Sequence, residues 1–169
     1  YMEIYYASAR CGLIVQPINW RLGAEEMIRV LADGEPAVVI LSGEYSDLLA
    51  PLQAALSVGH WLGFGQDSDD SYNALVASGS DAEPATSDLV GDDDPVLILY
   101  TGGTTGESKG ALHTHRSLQM GMLNQTVAER ITAGDVYMLT GQMFHIPIGL
   151  AMNYQAHGCP LVLINFEAR

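Results

Sequence analysis

Basic charge is what this sequence has least of. Its 7 Lys and Arg stand against 20 Asp and Glu, a formal net charge of −13. Binding a nucleic acid backbone takes clustered Lys and Arg, so nucleic acid is excluded as a partner. The scarcity is also uneven: no basic residue lies between Arg29 and Lys109, which leaves Lys109 as an isolated positive charge. The acids around it read as solvated surface. Cysteine is nearly absent too. Cys11 and Cys159 lie far apart and match no metal spacing, so they read as buried free thiols in a reducing cytoplasm. His113 and His115 have no nearby third ligand and read as packing and helix capping, so no metal site is expected. Long hydrophobic runs are missing as well: no apolar stretch approaches the ~20 residues that span a bilayer.

What the chain does have is glycine and threonine, concentrated in TGGTTGESKG, residues 101–110. Glycine lets a ligand approach the main chain closely, and threonine hydroxyls with exposed N–H groups offer donors. Ahead of this stretch Pro95 to Tyr100 form a continuous apolar run, the pattern of a strand buried on both faces. A strand delivering a Gly/Thr-rich loop with a lysine is a phosphate-cradling arrangement. It is not a Walker loop, because Gly110 follows Lys109 where a Mg²⁺-binding hydroxyl would be needed. Nor do Gly102, Gly103 and Gly106 give the GxGxxG spacing of a dinucleotide site. Gly110 to His113 is too short and glycine-led to start a helix, and Thr114 reads as the N-cap of the next one. The order expected is strand, loop, short return strand, helix.

These residues carry a resemblance. Tyr100 to Gly110, YTGGTTGESKG, closely resembles the AMP-binding signature of the adenylate-forming superfamily, usually written YTSGTTGxPKG. Gly102 stands where Ser is usual and Ser108 where Pro is usual. GLIVQPINWRL, residues 12–22, with Ala24-Glu25-Glu26, is similar to another family segment. So are Asp92 to Pro95, Leu112 to Leu118, and Gln142-Met143-Phe144-His145-Ile146, in which Gln142 replaces a usual proline. The run Asn19 to Leu22 points within the superfamily to acyl-CoA synthetases acting on fatty or similar acids.

The resemblance implies a two-step ligase that uses ATP and Mg²⁺ to form an acyl-adenylate from a carboxylic acid and then transfers the acyl group to CoA. Thr101, Gly102, Gly103, Thr104, Thr105, Gly106 and Lys109 are the expected nucleotide-binding residues, Lys109 being also the expected catalytic one. His145 is expected to line the acyl or nucleotide pocket. Two alternatives stay open: transfer to a carrier-protein thiol, and an inert folded fragment. The 169 residues read as part of the larger N-terminal domain of such an enzyme, without its C-terminal domain. Taken alone they are expected to be inactive and to self-associate through apolar faces.

The coarse pattern alternates helices 1–11, 24–33, 44–56, 114–129 and 148–157 with strands 13–18, 37–41, 95–100, 136–140 and 161–164. A shorter apolar stretch falls at 60–64. Helix-separated strands imply an α/β fold with a mostly parallel sheet flanked by helices. Residues 66–94, rich in Asp, Ser, Gly and Ala, read as an acidic surface excursion inside one domain, with a helix only at 72–77.

Overall fold

A computed structural model describes residues 1–65, 70–101 and 108–164. In chain order its elements are α1 (Met2–Cys11), α2 (Ala24–Gly34), β1 (Val38–Ser42), α3 (Leu49–Ala55), β2 (His60–Phe64), α4 (Ser71–Ser78), β3 (Pro95–Thr101), β4 (Lys109–Thr114), α5 (His115–Glu129), β5 (Tyr137–Leu139), α6 (Ile146–Ala156) and β6 (Leu161–Leu163). They fall into two compact units, Trp20–Glu83 and Tyr1–Asn19 with Pro84–Arg169.

In the unit Trp20–Glu83, Met27, Val30 and Leu31 recur at helical spacing and are all buried on one face of α2. The helix takes in Gly34 and closes on Glu35 at φ 46, whose N–H bonds back to Leu31 O; Pro36 then prevents continuation. The helix expected over 44–56 is broken. Gly43–Leu48 form a 3₁₀ turn with Tyr45 at φ −112, ψ 20, and α3 begins only at Leu49. Pro51 gives the reason, because in one continuous helix its ring would clash with the Asp47 carbonyl, whereas in the first turn of α3 its missing N–H is not needed. The 60–64 stretch becomes β2, paired in parallel with β1 from Val38↔His60 to Ser42↔Phe64. Leu52, 1% exposed, anchors this unit's core, and Phe64 meets Tyr72 edge-on at 5.7 Å between ring centroids.

The other unit is built around β3. On one side β4 returns antiparallel to it, as the expected strand–loop–strand order requires. On the other, the strand expected over 13–18 narrows to a single parallel bridge, Val15↔Leu97, with Val15 N–H donating to Val96 O and Ile98 N–H to Val15 O, both at 2.9 Å. Gly12 at φ 69 closes α1 just before it, the left-handed position that favours glycine. Tyr5, Val96, Leu97 and Ile148 form the core. β5 and β6 pair in parallel from Tyr137↔Leu161 to Leu139↔Leu163, with α6 as the connection. The α/β class expected from the sequence is the one observed. Among the described residues two of the three ladders are parallel and the β3–β4 hairpin is antiparallel.

Helices α5 and α6 are joined by polar groups. Asn153, 3% exposed, donates through Nδ2 to Met122 O at 3.0 Å, Gln125 Oε1 at 2.9 Å and Thr126 Oγ1 at 3.2 Å. Thr126 Oγ1 also lies 3.0 Å from His157 Nε2. At the outer end, Tyr154 Oη donates to Glu129 at 2.7 Å. This hydrogen bond, then burial, pushes the Tyr154 phenol up to about 12.

Candidate functional site

The site grows from the hairpin. Cross-strand pairing sets Leu97 opposite His113, Leu99 opposite Ala111 and Thr101 opposite Lys109, and side chains paired in this way share one face. Thr101 and Lys109 therefore flank the open end of the hairpin, where the Gly/Thr-rich segment joins the strands. Thr101 Oγ1 reaches Lys109 O at 3.4 Å. The Lys109 side chain is exposed, and among the described residues no carboxylate pairs with it. On the opposite face Gly110 lies under Ile98 and Tyr100. A Cβ there would come within 2.6 Å of Ile98 Cδ1 and 3.1 Å of Tyr100 Cζ, so glycine lets the return strand pack.

The far end of the hairpin is clasped. Thr114 caps α5 in a reciprocal box, with Ser117 N–H donating to Thr114 Oγ1 at 3.2 Å and Thr114 N–H to Ser117 Oγ at 3.0 Å. The lead-in to β3 satisfies further N–H groups of this helix start: His115 N–H donates to Asp94 O and Arg116 N–H to Asp92 O. Arg116 Nε also meets Asp93 at 2.8 Å, and its Nη2 meets Asp92 at 3.3 Å. The guanidinium holds the Asp93 carboxyl below the usual carboxylate range.

His145 arrives on another element. It is the N-cap of α6, in a turn tightened at Gly141, where a Cβ would lie 2.3 Å from Pro147 Cγ. Pro147 occupies the first turn of α6, where proline is tolerated, so the helix begins at Ile146, ahead of the expected 148.

Thr101 and His145 line one open cavity of about 580 Å³. Its walls are mostly apolar and include Ala9, Leu99, Leu118, Met122 and Met152. His115, expected from the sequence to serve in packing and helix capping, also lines it, as does Tyr5. Only their place in three dimensions singles them out, since nothing in the local sequence does. Burial pushes the Tyr5 phenol up, leaving it a neutral hydroxyl. Of the expected site residues, the structure brings Thr101 and Lys109 together at the hairpin mouth and sets Thr101 and His145 on a common cavity. Gly102, Gly103, Thr104, Thr105 and Gly106 lie outside the described residues. Among the described residues no helix is long and apolar enough to cross a membrane.

Comparison with known proteins agrees with the resemblance. The chain matches the AMP-binding enzyme family over residues 1–168. It is 33% identical to an indoleacetate–CoA ligase of Aromatoleum aromaticum over 83% of its own length and 28% of that protein's. It is 31% identical to the long-chain-fatty-acid–CoA ligase FadD13 of Mycobacterium tuberculosis over 85% of its own length and 28% of that protein's. The chain thus spans little more than a quarter of the curated relatives it matches. The crystal structure of ATP-bound MatB from Rhodopseudomonas palustris superposes with a TM-score of 0.80 at 28% identity, covering 97% of this chain and 32% of that one. On a match that runs almost from end to end and includes the hairpin and its lysine, the chain belongs to the AMP-binding enzyme family.

Proposed function

We propose that the full-length protein is an ATP-dependent ligase that adenylates a fatty or related apolar carboxylic acid and passes the acyl group to CoA. One observation carries this reading: an apolar cavity reaches Thr101 at the mouth of a hairpin whose Lys109 has no carboxylate partner among the described residues. An apolar acid fits the cavity, and a phosphate fits the mouth.

In the first step a carboxylate oxygen of the acid attacks the α-phosphorus of ATP. The bond from that phosphorus to the bridging oxygen breaks, and pyrophosphate leaves with the electron pair. Negative charge on the leaving group needs donors already in place. The Lys109 ammonium, the Thr101 hydroxyl and, on the signature, the hydroxyls of Thr104 and Thr105 and the N–H groups of Gly102, Gly103 and Gly106 supply them. His145 shapes the acid's approach from the cavity. In the second step the CoA thiolate attacks the acyl carbon and AMP leaves. Mg²⁺ would offset triphosphate charge, but among the described residues no cluster of His, Cys, Asp or Glu could hold a metal.

We assign the protein to the cytoplasm, where ATP and CoA are plentiful and free thiols such as Cys11 and Cys159 stay reduced. We also infer that the 169 residues alone are inactive and self-associate, since Leu112, Leu123 and Val127 are more than half exposed. Size exclusion of the isolated chain tests the second part. A pyrophosphate-release assay of the full-length protein with a panel of acids tests the main reading. Release that depends on both acid and ATP supports it, and no release with any acid refutes it. Acyl-AMP that CoA fails to discharge identifies the acceptor as another thiol.

A further inference from the structure

Two glycines stand inside helices that line the cavity, where glycine brings no advantage to the helix. Gly121 lies within α5 and Gly149 within α6, and both line the cavity. A glycine in a helix interior is less stable than an alanine, because it loses more backbone freedom on folding. Packing requires neither: a Cβ built at either position would meet no atom within 4 Å beyond its own helix backbone and chain neighbours. Gly110 and Gly141 differ, since a Cβ there would strike Ile98 and Pro147.

Helical phase turns both toward the cavity. Residues three and four apart share a helix face. Around Gly121 these include Ser117, Leu118 and Gln125, and around Gly149 they include His145, Ile146 and Met152, all of them on the cavity wall. The polar seam sets the two helices in register. Asn153 bonds Met122 and Gln125, and one turn on His157 meets Thr126, so α5 and α6 run in the same direction there. Gly121 stands one turn before Gln125, and Gly149 one turn before Asn153. The two glycines thus occupy adjoining turns on the cavity side of the seam. Gly149 is also one turn, about 6 Å of helical rise, from His145.

We propose that Gly121 and Gly149 form a notch that selects the acid by shape, and that the preferred substrate carries a ring within a few carbons of its carboxylate. This rests on the adenylation reading, in which the acid passes His145. A methylene chain in the notch would leave the space of two missing side chains empty, and a void forfeits the dispersion contacts of its walls. A flat ring fills that space. Met122 and Met152, which also line the cavity, suit a ring in particular, since thioether sulfur makes favourable contacts with aromatic edges.

The test uses the full-length protein with phenylpropanoic acid, its ring on the terminal carbon, and nonanoic acid, which has the same carbon number. Nonanoic acid has the larger apolar surface, so burial alone favours it and a preference for the ring acid reports shape. Specificity is read from kcat/KM for pyrophosphate release, and affinity from calorimetric titration of each acid. The expected wild-type preference for phenylpropanoic acid is about tenfold, the low end of what one methylene's worth of fit decides in an apolar pocket. Gly121→Leu and Gly149→Leu should each remove that preference or reverse it. Gly121→Ala and Gly149→Ala should not lower Tm, as alanine is the better helix former. A wild-type preference for nonanoic acid overturns the proposal, as does a ring preference that survives either leucine variant. Alanine variants that lose Tm and turnover of both acids together also overturn it, because the glycines would then accommodate another part of the chain. If no acid releases pyrophosphate, the adenylation reading fails, while the calorimetric comparison of wild type with the leucine variants still decides whether the notch selects.

Discussion

Replacing Asn153 with Ala removes the centre of the α5–α6 seam, and the size of the loss follows from its contacts. The two amide hydrogens of Nδ2 are shared among Met122 O, Gln125 Oε1 and Thr126 Oγ1, so two bonds are counted where three contacts exist. At about 1 kcal/mol each, with an added penalty for partners left unpaired in a buried interface, the loss is roughly 2–3 kcal/mol. For a chain of this size that lowers Tm by roughly 4–12 °C. Asn153→Asp should cost more, because it keeps the shape but turns carboxylate oxygens toward the Met122 and Gln125 oxygens. Urea denaturation followed by circular dichroism measures both, with the midpoint falling at an unchanged m-value. A cycle with Thr126→Val isolates the pair and should give a coupling of about 1 kcal/mol. An Asn153→Ala midpoint equal to wild type, or a coupling below about 0.5 kcal/mol, would refute the claim that this seam holds the helices together.

Three other outcomes are expected. Lys109→Ala in the full-length protein should weaken ATP dependence by about ten- to a hundredfold, the size of a charge-assisted phosphate contact, while acid binding measured without nucleotide stays unchanged; an unaltered KM for ATP removes Lys109 from the site. His145→Ala should change the acid KM or the rate of acyl-AMP formation while circular dichroism shows the fold intact, and unchanged kinetics would detach His145 from the acid path. Tyr154 has its folded pKa raised to about 12 above an ordinary value near 10, so its contribution to stability is fully present below pH 10 and is lost as pH rises toward 12. Tyr154→Phe should flatten that alkaline decline, and identical wild-type and variant pH profiles would contradict the assignment.

The sequence made the hairpin legible because its signals are local. An apolar run, a glycine-rich interruption, a glycine after lysine and a threonine N-cap each act within a few residues, and the strand, return strand and capped α5 follow from them. The expected helix 44–56 breaks ahead of Pro51, whose conflict with Asp47 matters only once a continuous helix is built. The strand 13–18 was overdrawn since apolar content shows a segment suited to a sheet but not how many of its residues find a neighbour; only Val15 does. The cavity was not legible. Tyr5 and His115 are distant in sequence and ordinary in their local patterns, and they come to line one cavity only in the folded chain. Asn153 was invisible for the same reason: a polar residue in an apolar helix pattern says nothing of the oxygens that face it from α5.

The clasp between Asp92–Asp94 and Arg116 makes residues 92–116 a closed ring, tied by side chains at one end and by the Thr101↔Lys109 pair near the other. What happens to chain length between residues 101 and 109 is therefore confined within the ring. The closure entropy of a longer segment rises by only about 0.6 kcal/mol per doubling of its length. The hairpin can serve as an interchangeable cassette, in which the connecting sequence is exchanged while the two strands keep their register.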